Sequence, residues 1–134
     1  MNCLHCGSRA GKSRANELSE SECMNIAEQL IKMGNEHITL IGGEIFLVPH
    51  WYKVAKKFAD SGVDVNIITN GFSVGDRQIA ELKQSGIKDV GVSIDGMKHN
   101  HDVIRNRDGS FDSAINTIKH LNVKNLTLVL QQQF

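Results

Sequence analysis

Residues 37–44 read His-Ile-Thr-Leu-Ile-Gly-Gly-Glu, a β-rich run that ends abruptly in two glycines and an acid. The β-branched and aliphatic residues predict a strand. The glycine pair removes side chains at a place where the backbone either turns sharply or lies close to a ligand. A plain strand-to-helix turn needs one glycine and no carboxylate, so Gly42, Gly43 and Glu44 are candidate binding residues.

Outward from this run, the same strand–loop–helix unit recurs along the chain. Helix and strand patterns alternate four times, beginning with a helix. Such alternation predicts an α/β fold with a parallel sheet and right-handed crossovers, in which ligands bind at the carboxyl ends of the strands. The predicted strands are 37–41, 63–68, 88–94 and 126–130, and the predicted helices are 20–33, a segment following Pro49, 76–84 and a segment beginning near Ser110.

The first predicted helix carries clear signals at both ends. Ser19 and Glu22 have the spacing of a capping box, and Gly34 ends the apolar periodicity. Cys23 falls on the apolar face of this helix, where a cysteine usually acts as a small core hydrophobe. We therefore expect Cys23 to lie in the core.

The composition is that of an ordinary soluble domain. The 134 residues are enough for one core, so we expect a single domain over 1–134. Lys and Arg together number 15, as do Asp and Glu, and this balance argues against a nucleic-acid or membrane-surface partner. No apolar run is long enough to span a bilayer. Three cysteines without a secretion signal indicate reduced thiols in the cytoplasm.

Two thiols lie three positions apart near the N-terminus, in Cys3-Leu4-His5-Cys6. On a loop, both sulfurs at this spacing can turn toward one soft metal centre. The pair by itself also fits a small zinc-binding or thiol domain. The polar loops that follow the predicted strands make a binding role for the cysteine pair more specific, because those loops should gather at one edge of the sheet.

Two further strand ends carry polar groups. Asn70 and Gly71 follow the strand 63–68, and this pair is also common in ordinary turns. Ser93 and Asp95 lie at the end of the next strand, where alternating side chains point to the same side. Their oxygens can hold a diol, or they can cap the turn that follows.

Residues 97–109 form a polar connection between the third strand and the last helix. His99 and His101 are two positions apart, a spacing that suggests a metal, yet no further ligand is obvious nearby. We therefore predict a solvated loop for this segment, with Ser110 as the cap of the helix beyond it.

Taken together, these motifs resemble the radical S-adenosylmethionine (SAM) enzymes, in particular the branch of peptide-modifying and cofactor-maturing members with a C-terminal SPASM-type iron–sulfur domain. The matches occur in the family's order over nearly the whole chain. They imply a partial (β/α) TIM-like barrel that lacks the first and last strands of the family core. Cys3-Leu-His-Cys6 resembles the second half of a C-x3-C-x2-C loop, and Gly42-Gly43-Glu44 resembles the GGE motif. Ser93-Ile-Asp95-Gly96 resembles the strand-end ribose motif. The segment His101-Asp-Val-Ile-Arg105, followed by Gly109-Ser110-Phe111, is typical of that branch.

The resemblance implies two cofactors, a [4Fe–4S] cluster and SAM. Cys3 and Cys6 would bind two irons, and an iron without a protein ligand would take the amino and carboxylate groups of SAM. An electron from the cluster would then cleave a carbon–sulfur bond of SAM and release a 5′-deoxyadenosyl radical. The implied SAM-binding residues are Gly42, Gly43 and Glu44 for the methionine amino group, Ser93 and Asp95 for the ribose or methionine polar groups, His5 beside the adenine, Arg105 for the carboxylate, and Asn70 at the rim.

The chain also departs from the family pattern. The first cysteine of the loop should lie four residues before Cys3, which is two positions before Met1. With two thiolates in place of three, we expect a truncated core that is inactive as given, and whose open sheet edges favour self-association. The substrate stays open between a peptide, a tetrapyrrole and another small molecule. Two alternatives also stay open: a non-catalytic SAM- or nucleotide-binding half-barrel or pseudoenzyme, and a zinc or thiol domain.

Overall fold

The computed structural model describes residues 2–8, 10–72, 74–123 and 127–131. Helices and strands alternate within them as the sequence predicts, with an added 3-10 helix at Ile45–Leu47 and five α-helices in place of four. The α-helices are α1 (Glu20–Lys32), α2 (Trp51–Asp60), α3 (Asp76–Ser85), α4 (Lys98–Arg105) and α5 (Ser110–Val123). The strands are β1 (His37–Leu40), β2 (Asp64–Thr69), β3 (Asp89–Ser93) and β4 (Thr127–Gln131).

The four strands form one parallel sheet in the order β1-β2-β3-β4. Ile38 pairs with Val65 and Ile67 pairs with Val90, so neighbouring strands present matching positions to the same face. Helices join successive strands, which is how parallel strands are usually connected. The predicted α/β class, a partial TIM-like barrel, is confirmed. Leu126, the predicted first residue of the last strand, lies outside the described residues.

The core lies between one face of the sheet and the helices. Strand side chains alternate between two faces, and Val65, Ile67, Val90 and Val92 form the buried set of β2 and β3. Burying each such side chain contributes on the order of 1.5–3 kcal/mol. The helix residues that cover them include Trp51, Ala55 and Phe58 of α2, Leu82 of α3 and Leu121 of α5. None of the described helices is both long and apolar enough to cross a bilayer.

The other face of the sheet is less covered at β1 and β2, although Gly91 and Ser93 of β3 are buried there. Asn66 and Ile68 of β2 are half-buried there, and Ile41, just beyond β1, is 55% exposed. Ile41 and Ile68 also line a cleft at the carboxyl ends of the strands, together with most of the predicted site residues.

The start of α1 confirms the predicted capping box. The Ser19 N–H donates to Glu22 Oε2 over 2.8 Å, and the Glu22 N–H donates to Ser19 Oγ over 3.4 Å. Cys23, in contrast, is half-buried and lines a surface groove beside Gly42 and Gly43. Its predicted core position is therefore wrong, because the first turn of α1 faces the N-terminal loop and the glycine turn.

Residues 98–105 are helical, so the predicted solvated loop is wrong. The segment contains neither glycine nor proline, and the His101 N–H donates to the Met97 carbonyl over 2.9 Å in the first turn. Asn106 ends α4 in the left-handed region, with φ at 51°. His101 and Arg105, four residues apart, share the inward face of α4 and are both buried.

The start of α5 is held by a side chain from α4. Ser110 is the first residue of the helix and its hydroxyl donates to Asp102 Oδ1 over 2.8 Å, so Ser110 is not the predicted cap. The Asp102 carboxylate also accepts the N–H groups of Gly109 and Phe111. These donors, the Phe111 N–H most of all, lower the pKa of Asp102. These contacts join α4 to the start of α5.

Candidate functional site

A cleft lies at the carboxyl ends of β1, β2 and β3, beside the loop that holds the two N-terminal cysteines. We call it the rim cleft. The carboxyl edge is where ligands bind in parallel α/β folds. Most of the predicted site residues line it, namely Cys3, His5, Cys6, Gly42, Gly43, Asn70, Ser93 and Arg105, and the other two, Glu44 and Asp95, contact residues that do.

A tight turn brings Cys3 and Cys6 to the same lip of the rim cleft. The Cys6 N–H donates to the Cys3 carbonyl over 3.2 Å, and the Ala10 N–H donates to Cys6 Sγ over 3.3 Å. The Leu4 N–H donates to the Ile104 carbonyl over 2.9 Å, which ties this turn to the end of α4. Both thiols are therefore held beside the strand ends by backbone hydrogen bonds.

The two glycines after β1 have different surroundings. A Cβ atom on Gly43 would lie 3.0 Å from the Ala10 Cβ, which is tighter than nine in ten real Cβ contacts. A Cβ atom on Gly42 would meet nothing within 4 Å. Gly43 thus allows the cysteine loop to pack on the β1 turn, while Gly42 borders open space in the rim cleft.

The Glu44 carboxylate joins the end of β1 to the end of β2. Its Oε1 accepts the Thr69 hydroxyl over 2.7 Å and the Phe46 N–H over 3.3 Å, and its Oε2 accepts the Asn70 N–H over 2.8 Å. Burial raises the pKa of Glu44, and the three hydrogen bonds partly oppose that shift. Among the described residues, Glu44 lines the groove beside Cys23, not the rim cleft.

The loop after β2 needs a glycine at Gly71. Its φ is +73°, and an added Cβ would lie 2.8 Å from the Ala114 Cα of α5. The Thr117 hydroxyl donates to the Gly71 carbonyl over 2.8 Å. Asn70, 9% exposed, accepts the Phe72 N–H on its Oδ1 over 2.8 Å. The Asn–Gly pair is therefore a turn held against α5, and it places Asn70 at the rim cleft.

Ser93 and Asp95 lie at the end of β3 at different depths. Ser93 is 3% exposed and borders the rim cleft. The Asp95 side chain is 1% exposed, and the Arg105 Nε donates to its Oδ2. The His5 Nε2 lies 3.8 Å from Asp95 Oδ1. Asp95 thus connects the cysteine loop to α4.

His101 lies behind Asp95, and the sequence reasoning assigned it no binding role. Its ring is fully buried, and its Nδ1 accepts the Asp95 N–H over 3.1 Å. Burial lowers the pKa of His101, and the positive charge of Arg105 lowers it further. The available signal was the spacing of His101 and Arg105, which places both on one helix face in a segment without helix breakers.

The fold and the site define a class of protein. Thiols, a glycine turn and buried polar side chains meet at the carboxyl edge of a partial (β/α) barrel, which is the arrangement of a cofactor-binding enzyme core. The family model described as the Radical SAM superfamily matches residues 1–130, and the chain belongs to that superfamily. The cofactors of the superfamily are a [4Fe–4S] cluster and SAM.

Curated relatives are similar over nearly all of the chain. The sporulation killing factor maturation protein SkfB of Bacillus subtilis (strain 168) is 32% identical over 130 residues, which are 97% of this chain and 32% of SkfB. The AdoMet-dependent heme synthase of Methanosarcina barkeri (strain Fusaro / DSM 804) is 29% identical over 123 residues, which are 90% of this chain and 35% of that protein. The chain spans about a third of the length of these relatives.

A solved structure with a similar fold is that of Streptococcus suis SuiB bound to S-adenosylmethionine. The TM-score is 0.83 at 15% sequence identity, and the match covers 98% of this chain and 30% of SuiB. At this identity, the similarity supports the fold alone.

The side chains at the rim cleft fit the cofactors of the superfamily. Thiolates are the usual ligands of iron–sulfur clusters, and Cys3 and Cys6 supply two. Arg105 Nη2 is buried without a hydrogen-bond partner in the described part of the chain, and a guanidinium suits an anionic carboxylate. The same part of the chain holds no group of three or more His, Cys, Asp and Glu side chains placed to bind a metal ion.

Proposed function

We propose that the rim cleft binds a [4Fe–4S] cluster and SAM, and that this chain is the cofactor-binding part of an enzyme that reductively cleaves SAM to modify a peptide or a cofactor. The observation that carries the proposal is the meeting of Cys3 and Cys6 with the open turn at Gly42 and the buried guanidinium of Arg105. Membership of the superfamily supports the same class of reaction.

The cysteine loop forms the metal end of this site. Cys3 and Cys6 would hold two irons, since both lie on one hydrogen-bonded turn. When bound, the reduced cluster supplies the electron that cleaves a carbon–sulfur bond of SAM. Gly43 keeps the loop packed on the β1 turn through its close approach to Ala10. The role of the chain here is to hold the metal at a fixed distance from the strand ends.

The strand ends form the SAM end of the site. Arg105 would pair with the carboxylate of SAM, because its Nη2 has no hydrogen-bond partner among the described residues. The backbone of the glycine turn would face the ammonium group, with Glu44 holding that turn against β2. The remaining assignments are Ser93, Asp95 and Asn70 for the ribose or methionine polar groups, and His5 for the adenine.

We propose a peptide as the substrate. SkfB is named as the maturation protein of a sporulation killing factor, and a second SuiB structure is bound to the precursor peptide SuiA. A tetrapyrrole is the second candidate, because a heme synthase is also among the relatives.

The number of cysteines in the loop limits how firmly a cluster is held. Two thiolates hold a four-iron cluster less firmly than three, so we expect the 134 residues alone to lose iron readily in air. We further expect them to cleave little SAM. Iron content followed over time after exposure to air measures the first effect, and release of 5′-deoxyadenosine measures the second.

Anaerobic reconstitution with iron and sulfide tests the proposed function. The purified chain should turn brown, absorb in the charge-transfer region of thiolate-bound iron, and bind SAM in a calorimetric titration. Cys3→Ser and Cys6→Ser should each remove most of the iron. Cys23→Ser is the matched control, because this third cysteine lines the other groove, and it should retain the iron.

Two results would contradict the proposal and point to the alternatives. A colourless protein that still binds SAM indicates a non-catalytic SAM-binding half-barrel or a pseudoenzyme. Zinc in metal analysis without SAM binding indicates a zinc or thiol domain.

We also propose that the chain associates with itself through the outer edge of β1. Among the described strands, β1 pairs with β2 alone, and its residues are exposed or half-buried throughout. Ile41, which directly follows β1, adds exposed apolar surface next to it, and such an edge favours pairing with another chain. Size-exclusion chromatography with light scattering should show a dimer or larger species that Ile41→Lys weakens. A wild-type monomer at high concentration would overturn this proposal.

A further inference from the structure

Helix α4 presents two buried polar side chains to the end of β3. His101 and Arg105 lie one helical turn apart, and both contact Asp95. The Arg105 Nε donates to Asp95 Oδ2, and the Asp95 N–H donates to His101 Nδ1. The side chains of His101 and Asp95 are each 1% exposed, so bulk water does not compete for these contacts.

The hydrogen bond from Asp95 defines the protonation state of His101. Because Nδ1 accepts, it carries no proton, and the proton of the neutral ring lies on Nε2. Burial and the charge of Arg105 both lower the pKa of His101, which favours the same neutral ring. The ring packs edge-on against Phe111, with ring centroids 5.7 Å apart. His101 is therefore a neutral acceptor with a fixed orientation.

The contacts among His101, Asp95 and Arg105 leave three of their polar atoms without a partner among the described residues. Asp95 Oδ1, His101 Nε2 and Arg105 Nη2 are buried and have no hydrogen-bond partner in the part of the chain that the structure describes. An unpaired buried polar group destabilises the folded state, so a hydrogen-bond partner for such a group is favourable. Arg105 also lines the rim cleft, so a ligand there is the group that can pair with its Nη2.

We propose that His101 is a positioning residue for SAM. It holds the Asp95 peptide, the Asp95 carboxylate holds the Arg105 guanidinium, and Arg105 is thereby turned toward the carboxylate of SAM. This inference rests on the proposed function, because it needs SAM in the rim cleft. It assigns a role to a side chain that acts on the ligand only through two other groups.

Matched variants separate positioning from packing. His101→Phe keeps an aromatic ring against Phe111 and loses the acceptor for the Asp95 N–H. His101→Asn loses the ring and retains an acceptor oxygen near the place of Nδ1. His99→Phe is the control, because His99 is an exposed residue of the same helix.

Binding of two probes to the reconstituted 134-residue chain measures the effect. The probes are SAM and decarboxylated SAM, which lacks the carboxylate. His101→Phe should weaken SAM binding about tenfold, the loss expected when a charge-assisted hydrogen bond is misplaced. The same variant should leave decarboxylated SAM unchanged, and His101→Asn should recover most of the SAM affinity. Arg105→Gln should show the same selective loss, and adding it to His101→Phe should cost little more, because both act on one contact.

The outcomes distinguish this inference from the proposed function. Equal losses for both probes in His101→Phe would show that His101 only supports the fold. A wild-type chain that binds both probes equally would overturn the inference and leave the proposed function standing. A wild-type chain that binds neither probe would overturn the proposed function and the ligand part of the inference together.

The tautomer of His101 is a second measurement, and it needs neither SAM nor a variant. Nitrogen-15 NMR of the imidazole should show an unprotonated Nδ1 and a protonated Nε2 near neutral pH. A ring protonated on Nδ1 could not accept the Asp95 N–H and would overturn the positioning role, even if His101→Phe failed to fold.

Discussion

Two carboxylates follow strands of the same sheet, half-buried Glu44 after β1 and the buried side chain of Asp95 after β3, and they are stabilised in opposite ways. Glu44 accepts three hydrogen bonds from neutral donors of the chain, and these engage both of its oxygens. Asp95 pairs with the guanidinium of Arg105 and leaves Oδ1 without a hydrogen-bond partner among the described residues.

The difference separates an acid whose hydrogen-bond donors are all neutral from an acid that holds a cation. Neutral dipoles offset the loss of hydration only in part, and burial therefore raises the pKa of Glu44. Around Asp95, a cation supplies the compensation, and unpaired polar atoms remain beside the rim cleft. Both carboxylate oxygens of Glu44 have partners among the described residues, whereas Asp95 Oδ1 and Arg105 Nη2 have none there.

The largest effect that tests this contrast is expected from Asp95→Ala. The substitution leaves the buried guanidinium of Arg105 without its counter-charge, and breaking one partner of a buried ion pair costs about 3–5 kcal/mol. We expect a loss of that size in the free energy of unfolding, measured by urea denaturation.

Two further variants show whether the loss comes from the ion pair. Combining Asp95→Ala with Arg105→Leu removes the unpaired charge and should restore much of the stability. Asp112→Ala is the control, because Asp112 pairs with Lys98 on the surface, and it should leave stability unchanged. If Asp95→Ala changes the free energy of unfolding as little as Asp112→Ala does, Asp95 is not held by a buried ion pair and differs from Glu44 less than proposed.

Glu44→Gln is the corresponding change on the other side. The amide retains one acceptor oxygen and turns an NH2 group toward the donors, so one or two of the three hydrogen bonds are lost. We expect a loss of about 1–3 kcal/mol in the free energy of unfolding. Glu36→Gln, at an exposed position just before β1, should have no effect. A loss as large as that of Asp95→Ala would show that the two acids are held alike.

The pH dependence of stability should have opposite signs on the two sides. The folded state raises the pKa of Glu44 above 4.5, so the contribution of Glu44 to stability falls as pH rises from 4.5 through the raised value. The folded state lowers the pKa of His101 below 6.5, so its contribution is complete above 6.5 and is lost as pH falls toward the lowered value.

Urea denaturation midpoints of the wild type and of two variants, measured across this pH range, test both pH dependences. Glu44→Gln should remove the fall in stability with rising pH above 4.5, and His101→Asn should remove the loss of stability below 6.5. Each variant should leave the other slope in place. An unchanged profile in either variant would show that a different group titrates.

Much of the fold could be predicted because its signals are local. The run His37–Leu40 is a strand within one residue of the predicted bounds, since β-branched residues and a glycine pair mark it without help from the rest of the chain. The capping box of Ser19 and Glu22 is likewise complete within four residues. The meeting of strand-end loops at one edge follows from parallel topology, and it brought most of the predicted residues to one cleft.

What could not be predicted depends on contacts between distant segments. His101 has polar neighbours in the sequence, and its burial is decided by Asp95 after β3 and Phe111 of α5. Two of the three donors to Glu44 come from Thr69 and Asn70, more than twenty residues away. Local pattern gives no information about which of two similar acids will find neutral donors and which will find a cation.

The smallest expected effect concerns the two glycines that precede Glu44. Gly43→Ala would press a methyl group against Ala10 of the cysteine loop, at a cost of about 1 kcal/mol if the loop moves by a few tenths of an ångström. Gly42→Ala meets open space and should leave stability unchanged. If the β1 side is structural, Gly43→Ala should also reduce the iron retained after reconstitution, while Gly42→Ala retains it. A Gly42→Ala variant that loses more iron than Gly43→Ala would show that the cysteine loop is not held by this packing, and that the β1 side of the cleft faces the cofactor as directly as the β3 side.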